Sequence, residues 1–374
     1  MAKKRADAVN ISKMTAVVSV LVLVCVLGAS VAAAAVMKGF PANVLPKRTV
    51  VSQSDAWLSP SDAEEKPAGL TVAAEATIAA TGDVIGHDAI LRAAYNGKSK
   101  TYSFEDIFPY VKKYVSASDY AVANLETTLR GTEGGGKYQG YPLFNTPDSI
   151  VDAVKNAGFD MLLTANNHCY DTGSKGMHRT VEVLDKKSVD HIGTRLKAQD
   201  KPYAVKEVGG IKIGMLCYTY ETTPQNSKKK TLNGLPVKGD DPALVNSFRY
   251  DRLDDFYQEL TERMTAMKEE GAEAFVMFIH WGTEYKTSPN AQQKKIAQAL
   301  CDLGFDVIVG GHPHVIQPVA LLTGSDGTHR TVCLYSAGNA VSNQRRGTAN
   351  VKTGHTEDGC LFRMTFRKYS DGRV

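Results

Sequence analysis

One recurring pattern constrains the fold more than any other: short apolar runs end at residues that can bind a metal or a ligand. The clearest run is Val-Ile-Val-Gly-Gly at residues 307–311, followed by His312-Pro313-His314. Such a run predicts a buried strand, and the glycines indicate that it stops where the histidines begin. Open α/β sheets bind ligands at the carboxyl ends of their strands. Taken alone, His312 and His314 fit either a metal site or a polar loop.

The same arrangement recurs at other predicted strand ends. Apolar runs at residues 74–80, 120–124, 159–164 and 275–279 each stop shortly before a carboxylate, an amide or an imidazole. With the first run included, the polar residues at these ends are Asp83, Glu126, Asn167, His168, His280, His312 and His314. Because neighbouring parallel strands present their carboxyl ends at one edge of a sheet, we expect these side chains to meet in space.

Segments with helical periodicity alternate with the apolar runs. The predicted helices cover residues 104–115 with Ser103 as N-cap, 148–157, 174–187, 251–270 and 290–303. A strand–turn–strand pattern spans residues 203–218, and later strands are predicted at 331–335 and 359–367. Strands that alternate with helices indicate an α/β fold with a mixed sheet. The hairpin and the later strands predict a second sheet packed on the first, with helices outside.

The net charge of +4 arises at the N-terminus. Residues 1–38 contain five basic residues and one Asp, whereas basic and acidic residues are equal in number in the rest of the chain. A folded region without net charge lacks the basic footprint of a nucleic-acid binder, so we predict no nucleic-acid partner. At 374 residues the chain is long enough for one large domain or two ordinary ones.

Residues 14–37 carry no charge and are numerous enough, as a helix rising ~1.5 Å per residue, to cross a bilayer core of ~30 Å. The basic residues 1–13 precede this segment and are expected to stay in the cytoplasm. The sequence thus predicts a single-pass protein of the cell membrane. A proline-containing linker over residues 38–70 and a folded domain over residues 71–374 would be extracellular. Small residues at 32–35 also fit a cleaved signal peptide.

Two other features leave simpler interpretations open. Five cysteines follow the apolar segment without any Cys-x-x-Cys pair, which argues against a complete disulfide framework. Cys169, beside His168, is interpreted as structural. The polar segment 222–242 contains Lys228-Lys229-Lys230, which fits either a solvated loop or a specific anion site.

The residue types at the strand ends suit a centre with two divalent metals. Two ions ~3.5–4 Å apart can clamp the attacking and leaving oxygens of a phosphoryl displacement. A carboxylate can bridge the ions, and imidazole nitrogens and amide oxygens can complete their coordination. A further histidine can protonate a leaving alkoxide. The sequence does not distinguish Mn, Fe and Zn.

These motifs resemble those of the bacterial capsule-synthesis CapA family of the poly-γ-glutamate synthesis type. The matching pieces are Gly82-Asp83, Asn124-Leu125-Glu126, Asn166-Asn167-His168 with Asp171, His280-Trp281-Gly282 with Glu284-Tyr285, Gly311-His312-Pro313-His314 and Gly338-Asn339. The resemblance implies the fold of calcineurin-like metallophosphoesterases, an αββα sandwich of two mixed sheets. It also implies a role in making, exporting or anchoring poly-γ-glutamate. That polymer or another envelope polymer, and membrane subunits of a capsule synthesis complex, would be its partners.

The resemblance also implies roles for individual residues. Asp83 and His314 would bind one metal. Asn167, His280 and His312 would bind the other, and Glu126 would bridge the two. His168 would be the catalytic acid or would stabilise the transition state. The expected cleft or substrate-binding residues are His87, Asn166, Asp171, Glu284, Tyr285 and Asn339.

The sequence departs from the phosphoesterase pattern at two positions. That pattern begins Asp-x-His, but Asp83 is followed by Val84-Ile85, and His87 is the nearest histidine that could substitute. The bridging carboxylate is Glu126 instead of Asp. Two alternatives to the capsule function therefore remain: a phosphoesterase acting on nucleotides, lipids or envelope polymers, and a non-catalytic polymer-binding subunit. Histidines outside the pattern are interpreted as incidental: His178, His191, His329 and His355.

Overall fold

Strands and helices alternate along residues 69–348 and 351–374, which are the residues that the computed structural model describes. The strands are β1 (Val72–Val84), β2 (Tyr95–Asn96), β3 (Thr101–Tyr102), β4 (Tyr120–Leu125), β5 (Met161–Leu163), β6 (Asp190–Ile192), β7 (Ala204–Val208), β8 (Ile211–Tyr220), β9 (Thr231–Leu232), β10 (Leu235–Pro236), β11 (Ser247–Phe248), β12 (Ala274–His280), β13 (Val307–Gly311), β14 (Val319–Thr323), β15 (Arg330–Leu334), β16 (Asn339–Val341) and β17 (Leu361–Tyr369). The α-helices are α1 (Asp88–Ala94), α2 (Lys112–Val115), α3 (Ser149–Asn156), α4 (Gly173–Lys186), α5 (Leu253–Glu269) and α6 (Ala291–Leu303).

Most strands belong to two mixed sheets. The first has the order β16-β1-β4-β5-β6, and β17 pairs with β1 in the antiparallel sense. The second has the order β11-β8-β12-β13-β15-β14, and β7 pairs with β8 in the antiparallel sense. The predicted strand–turn–strand over residues 203–218 is thus the β7–β8 hairpin.

The apolar core between the sheets explains why they pack together. Ile78 and Val122 from the first sheet join Ile213, Val276 and Phe278 from the second in one buried cluster. Burying each large side chain of this kind contributes ~1.5–3 kcal/mol. A second cluster packs helices α3 and α4 against the first sheet, and a third packs α5 and α6 against the second. The predicted mixed α/β fold with two mixed sheets and outer helices is confirmed.

The predicted helix over residues 104–115 is wrong. A 3-10 turn at Glu105–Ile107 and the short helix α2 occupy this segment instead. Pro109 lies between them. Proline has no N–H to donate and disfavours helical backbone in the residue before it, so a continuous helix cannot pass this point.

Helix α6 follows the prediction closely because both of its ends are specified locally. The Asn290 side chain accepts a hydrogen bond from the Gln293 backbone, and the Gln293 side chain accepts one from the Asn290 backbone, which is a capping box. Gly304 ends the helix with φ 94°, a left-handed conformation that glycine adopts readily. By contrast, α1 and β14 were not predicted. Strand β14 (Val-Ala-Leu-Leu-Thr) has no fully buried residue, although four of its five residues are apolar.

The predicted cytoplasmic segment 1–13, the membrane segment 14–37 and most of the linker 38–70 lie outside the described residues. Within residues 69–348 and 351–374, none of the helices combines the length and the apolar character needed to cross a bilayer.

Two glycines allow backbones to approach closely beside the ends of β1 and β13. A Cβ atom on Gly82 would lie 1.8 Å from the carbonyl oxygen of Gly338. A Cβ atom on Gly310 would lie 2.0 Å from the carbonyl oxygen of Tyr335 and 2.5 Å from Trp281 Nε1. The same tryptophan nitrogen donates to Tyr335 O at 2.9 Å. Any side chain at Gly310 would therefore separate β13 from the segment that follows β15.

We predict that Gly310→Ala destabilises the folded domain by about 1–3 kcal/mol, the usual cost of overpacking a well-packed interior. Gly97→Ala is the matched control, because a Cβ atom there meets nothing within 4 Å. Chemical denaturation of both variants and the parent measures the difference. Equal midpoints for Gly310→Ala and Gly97→Ala would contradict this account of the close approach.

Candidate metal centre

Parallel pairing brings the polar strand ends together. Asp83 at the end of β1 pairs with Asn124 of β4, and His280 at the end of β12 pairs with Gly311 of β13. The two sheets face each other, so the ends of these strands converge from both sides. The predicted ligands at this convergence are buried: Asp83, Glu126, Asn167, His280, His312 and His314 are each at most 5% exposed.

Asp83 is held as a carboxylate by its neighbours. Asn124 Nδ2 donates to Asp83 Oδ1 at 2.7 Å, and His314 Nδ1 lies 3.1 Å from Asp83 Oδ2. Burial acts to raise the pKa of Asp83, but the hydrogen bonds from His314 and Asn124 act against it, and the pKa is lowered overall. His314 Nδ1 also lies 3.1 Å from Asn339 Oδ1. Both contacts use Nδ1, which leaves Nε2 free toward the interior of the cluster.

Glu126 is buried at the centre without hydrogen bonds to the described residues. Its side chain is fully buried, and neither carboxylate oxygen has a hydrogen-bond partner among the described residues. Glu126 Oε1 lies 3.5 Å from His280 Nε2 and 4.0 Å from His314 Nε2. Burial and the charge of Asp83 raise the pKa of Glu126 well above its ordinary value. A buried carboxylate without a partner is costly, and a cation among the surrounding imidazoles would satisfy it.

His280 and His312 are kept in the neutral form that binds metals. Burial lowers the pKa of His280 to about 3 and lowers that of His312 well below its usual range. His280 Nε2 lies 2.7 Å from Asn167 Oδ1, which places the predicted amide ligand beside the predicted imidazole ligand. His312 Nδ1 has no hydrogen-bond partner among the described residues, and its Nε2 lies 3.3 Å from the hydroxyl of Tyr220.

The donor atoms form two groups that are each compact enough to hold an ion. Asp83, Glu126 and His280 offer one group, in which the ligand atoms lie within 4.8 Å of one another. Glu284, His312 and His314 offer the other within the same limit. These residues fit a divalent metal by donor type and spacing. The grouping differs from the one that the resemblance implies, and how the ligands divide between ions stays a prediction.

The loop that carries the paired histidines has a strained backbone. His312 and His314 adopt φ values of 92° and 56°, and Tyr285 adopts 63°. Positive φ is unfavourable for residues with a side chain, and it persists where the surroundings enforce it, commonly at functional sites. The backbone N–H of Tyr285 donates to Pro313 O at 2.8 Å and thereby ties the two loops together.

His168 is fixed in one orientation beside the cluster. Its Nδ1 lies 2.7 Å from Asp171 Oδ2, and its ring packs edge-on against Phe144 with centroids 4.6 Å apart. Asn166 Oδ1 accepts from the His168 backbone N–H at 3.1 Å, while Asn166 Nδ2 donates to Leu125 O at 2.8 Å. Asn166 therefore supports the loop, and the Asp171 carboxylate sets the tautomer with the proton on Nδ1.

Comparison with known proteins identifies the family of this chain. Residues 77–344 match the family described as bacterial capsule synthesis protein PGA_cap. This match covers most of the chain. The chain belongs to the bacterial capsule synthesis PGA_cap family.

Two relatives of this PGA_cap chain are named for capsule or PGA biosynthesis. The PGA biosynthesis protein CapA of Bacillus subtilis (strain 168) is 30% identical over 272 residues, which cover 72% of this chain and 63% of the relative. The capsule biosynthesis protein CapA of Bacillus anthracis is 28% identical over 246 residues, which cover 65% of this chain and 55% of the relative. The matched region thus spans less than two thirds of either relative.

The remaining predicted cleft residues of the PGA_cap chain lie around the cluster. His87 is largely buried, its Nδ1 accepts from the Asn343 backbone N–H at 3.2 Å, and burial lowers its pKa to about 4. It belongs to neither group of candidate ligand atoms. The hydroxyl of Tyr285 accepts from Gln344 Nε2 at 3.3 Å. Glu284 is exposed, unlike the histidines with which its carboxylate is grouped.

Histidines outside the pattern have partners elsewhere. His178 lies 2.9 Å from Asp241, His191 lies 3.0 Å from Asp185, and His329 Nε2 lies 2.9 Å from Phe305 O. The cysteines Cys169, Cys217, Cys301, Cys333 and Cys360 are free thiols. Burial raises the pKa of Cys169 to about 12, which favours the structural interpretation over a reactive one.

Three residues near the centre were missed by the sequence analysis. Asn124 orients Asp83, Tyr220 contacts His312 with ring centroids 4.8 Å apart, and Asn233 Nδ2 lies 3.4 Å from His168 Nδ1. Asn124 ends a predicted strand, so the strand-end rule could have found it. Tyr220 ends β8 two residues beyond the predicted strand. Asn233 belongs to a hairpin within the polar segment 222–242, and no sequence signal placed that hairpin beside His168.

We predict that Glu126→Gln stabilises the metal-free protein at neutral and alkaline pH. The folded-state pKa of Glu126 is raised above its unfolded value of ~4.3, so ionisation disfavours the folded state. The stability of the parent should therefore fall, relative to Glu126→Gln, as the pH rises above ~4.3. Thermal unfolding with a chelator from pH 4.5 to 8 measures this difference, and each kcal/mol corresponds to about 2–4 °C.

Divalent metal should reverse the order of the two proteins, because the parent gains an ion that the variant binds poorly. Glu207→Gln is the matched control, since Glu207 is exposed and forms no ion pair among the described residues. If the difference in thermal stability between Glu126→Gln and the parent stays constant with pH, the raised pKa of the buried Glu126 carboxylate is contradicted.

Proposed function

We propose that this chain is a membrane-anchored extracellular protein of capsule or poly-γ-glutamate biosynthesis with a metal-dependent hydrolase-type site. The observation that carries the proposal is the fully buried Glu126 carboxylate, which has no hydrogen-bond partner among the described residues and lies 3.5 Å from His280 Nε2 and 4.0 Å from His314 Nε2. Membership of the PGA_cap family and the names of the Bacillus relatives support the biological setting. The uncharged segment 14–37 supports the membrane anchor.

The metal ligands follow from the donor groups. Asp83, Glu126 and His280 would hold one ion, with Asn167 beside His280. His312 and His314 would hold a second. Two bound divalent ions would supply positive charge to the attacking and leaving oxygens of a displacement at an acyl or phosphoryl centre. The fold supports the calcineurin-like αββα architecture for this site.

We further propose that Glu284 takes the place of the histidine missing from the Asp-x-His pattern. The expected histidine position is occupied by Ile85, which is buried and apolar. The isoleucine side chain has no atom that can bind a metal. The Glu284 carboxylate lies within 4.8 Å of ligand atoms of both His312 and His314. A carboxylate at this position would also offset part of the ion's charge, which a neutral imidazole would not.

His168 is proposed as the catalytic acid. Asp171 Oδ2 accepts a hydrogen bond from His168 Nδ1–H at 2.7 Å, which fixes the ring and directs Nε2 away from the Asp171 contact. A ring oriented in this way can give a proton from Nε2 to a leaving oxygen once it is charged, and Asp171 stabilises that charge. The loop held by Asn166 keeps the ring in place, because Asn166 bonds both to the His168 backbone and to Leu125 O.

We predict that the full-length protein contains about two divalent ions per chain and that Glu284→Gln lowers this number to about one. Elemental analysis after dialysis measures the content, and Glu133→Gln is the matched control at an exposed glutamate. Zero or one ion per chain in the parent would overturn the two-ion centre. Equal content in the parent and Glu284→Gln would overturn the role of Glu284 alone.

We predict that His168→Asn lowers kcat for hydrolysis by about 10²–10⁴-fold while the metal content stays unchanged, because general acid catalysis contributes on that scale. An aryl phosphate and poly-γ-glutamate serve as substrates. His178→Asn is the control, because His178 pairs with Asp241 away from the cluster.

The substrates separate the alternatives. Aryl phosphate turnover that is lost in His312→Ala would favour a phosphoesterase. Binding of poly-γ-glutamate without turnover of either substrate, by a protein with full metal content, would favour a non-catalytic polymer-binding subunit. Unchanged kcat in His168→Asn would contradict the role of the His168–Asp171 pair.

A further inference from the structure

One surface turn of the domain exposes tyrosine, valine and lysine side chains together. Residues 109–114, Pro-Tyr-Val-Lys-Lys-Tyr, are all exposed and are called the 109–114 turn below. Tyr110 is 88% exposed, Val111 42% and Tyr114 55%. No other large hydrophobic side chain among the described residues is as exposed as Tyr110. Because adjacent exposed apolar groups commonly mark interaction sites, this turn is a candidate docking surface.

Buried residues on either side hold the 109–114 turn against the first sheet. Phe108 and Val115 belong to the apolar cluster on that sheet. The Phe108 ring meets Phe159 edge-on, with centroids 5.9 Å apart. The backbone N–H of Lys112 donates to Phe108 O at 3.0 Å, and that of Val115 donates to Val111 O at 3.1 Å. The exposed side chains therefore project from a backbone that is already ordered, which lowers the entropy cost of docking.

The two lysines of the turn are available to an external anion. Among the described residues, no carboxylate oxygen lies within 4.0 Å of the ammonium group of Lys112 or Lys113. Lys113 Nζ lies 4.7 Å from the centroid of the Tyr114 ring. A cation and an aromatic ring are thus presented side by side on the same exposed turn.

The acidic residues that precede the turn do not pair with its lysines. Glu105 Oε1 accepts a hydrogen bond from Asn156 Nδ2 at 2.8 Å, which directs this carboxylate toward helix α3. Asp106 lines a separate cavity beside strand β2. An anion that approaches the turn therefore meets the two ammonium groups without displacing an ion pair.

A largely apolar cavity of about 290 Å³ lies behind the turn. Its lining includes Val111 of the turn and the apolar side chains that hold the turn in place. Asn339 lines the same cavity, and its Oδ1 lies 3.1 Å from His314 Nδ1 in the metal centre. The turn and the metal centre are therefore neighbours across one cavity, so a surface that contacts the turn also lies near the metal centre.

The size and composition of the turn fit a lipid bilayer. Tyrosine is enriched where the apolar interior of a membrane meets water, because its ring is apolar and its hydroxyl is polar. A neighbouring lysine is attracted to anionic lipid headgroups and can extend its ammonium group into water. A stable protein–protein interface needs roughly 20–30 residues from each partner, far more than this turn offers. A few aromatic and basic side chains are sufficient to orient a tethered domain on a bilayer.

The predicted linker brings the turn within reach of a membrane. Residues 38–70 would span at most on the order of 100 Å when fully extended. A linker of that length keeps the domain near the bilayer but does not determine which face turns toward it. Tethering also raises the effective concentration of the turn at the bilayer, so a weak contact is sufficient. The turn can therefore set an orientation that the linker leaves open.

We propose that the 109–114 turn docks the domain on an anionic lipid bilayer and holds the metal centre close to the headgroups. Tyr110, Val111 and Tyr114 enter the interface between headgroups and acyl chains, and Lys112 and Lys113 bind lipid phosphates. The choice of a bilayer rests on the proposed function, because it uses the proposed membrane anchor. The anchor and the docking are separate contacts, so the experiment tests each of them.

A second lysine cluster lies elsewhere in the domain and differs from the turn. Lys228, Lys229 and Lys238 line a cavity of about 900 Å³ beside the β9–β10 hairpin. Three carboxylates share that lining, and none of the exposed large hydrophobic side chains of the described residues belongs to it. Its phenylalanines pack in the apolar cluster on the second sheet, so this cavity and the turn lie on different sheets. The adjacent pair Lys228 and Lys229 therefore serves as a matched control for charge.

The test places the full-length protein in phosphatidylcholine–phosphatidylglycerol vesicles whose acyl chains carry bromine, which quenches nearby tryptophan. Tyr110→Trp introduces a reporter in the turn. Gln258→Trp is the matched control at an exposed position of α5, which packs on the other sheet. Trp57 and Trp281 are present in every protein, so quenching in the parent is subtracted. The reporter at residue 110 should be quenched at least about twofold more than the reporter at residue 258, because tryptophan in a docked turn lies at the membrane interface.

The lysines are tested in the Tyr110→Trp background. Lys112→Ala/Lys113→Ala should reduce the excess quenching by about half or more when phosphatidylglycerol is present, and added salt should act in the same direction, because exposed charges are screened. Lys228→Ala/Lys229→Ala should leave the excess quenching unchanged. Equal loss in both double variants would contradict a specific role for the turn.

Extraction with alkaline carbonate tests the anchor independently. If the protein stays in the vesicles but both reporters are quenched equally, the docking proposal fails and the proposed anchor stands. If carbonate removes a protein whose reporter at residue 110 was quenched in excess before extraction, the docking stands and the anchor fails. A reporter that is shielded from aqueous acrylamide but not quenched by brominated lipid indicates that another protein chain covers the turn, which overturns the bilayer as its partner.

Discussion

The structure around the candidate site depends on the burial of Glu126 next to Asp83. Two carboxylates in an apolar interior repel each other and lose their hydration, a cost of several kcal/mol unless a cation or a proton compensates. Asp83 keeps its charge because His314 and Asn124 contact it. The pKa of Glu126 is raised because its carboxylate is buried and lies near the charge of Asp83. The imidazole of His280 stays neutral, since burial lowers its pKa to about 3. A cluster of this kind is costly as an ordinary core, and its donor atoms fit a cation.

The backbone that positions the side chains of the candidate site is also constrained. Gly82 and Gly310 let two strand ends approach neighbouring carbonyl oxygens more closely than any side chain would allow. Beyond β13, His312 and His314 both adopt positive φ, so their side chains leave the strand in directions that an extended chain would not give. Strain of this kind costs of order 1–3 kcal/mol per residue, and the packed sheets on both sides maintain it. The geometry of the cluster is thus supported by the whole two-sheet core.

The sequence predicted the parts of this architecture that local rules determine. Apolar runs ending at Asp83, His280 and His312 identified strands, and the common edge of parallel strands brought their ends together. The predicted helix over residues 104–115 does not form because Pro109 interrupts the segment, although its apolar periodicity is helical. Tyr220 and Asn233 could not be predicted, since their places beside His312 and His168 depend on packing between segments far apart in the chain. For the same reason, the lysine run could not be distinguished from a solvated loop without knowing that Arg249 donates hydrogen bonds to Ser227 O and Gln225 O.

The two charged regions have opposite signs, and this affects how they can act together. Asp83, Glu126 and Glu284 make the metal-free centre acidic, so it would repel an anionic ligand. Bound divalent ions would reverse that sign, whereas Lys228, Lys229 and Lys238 are positive regardless of metal. The hairpin that ends at Asn233 joins the two regions, yet Asp171 at 2.7 Å controls His168 Nδ1 more closely than Asn233 at 3.4 Å.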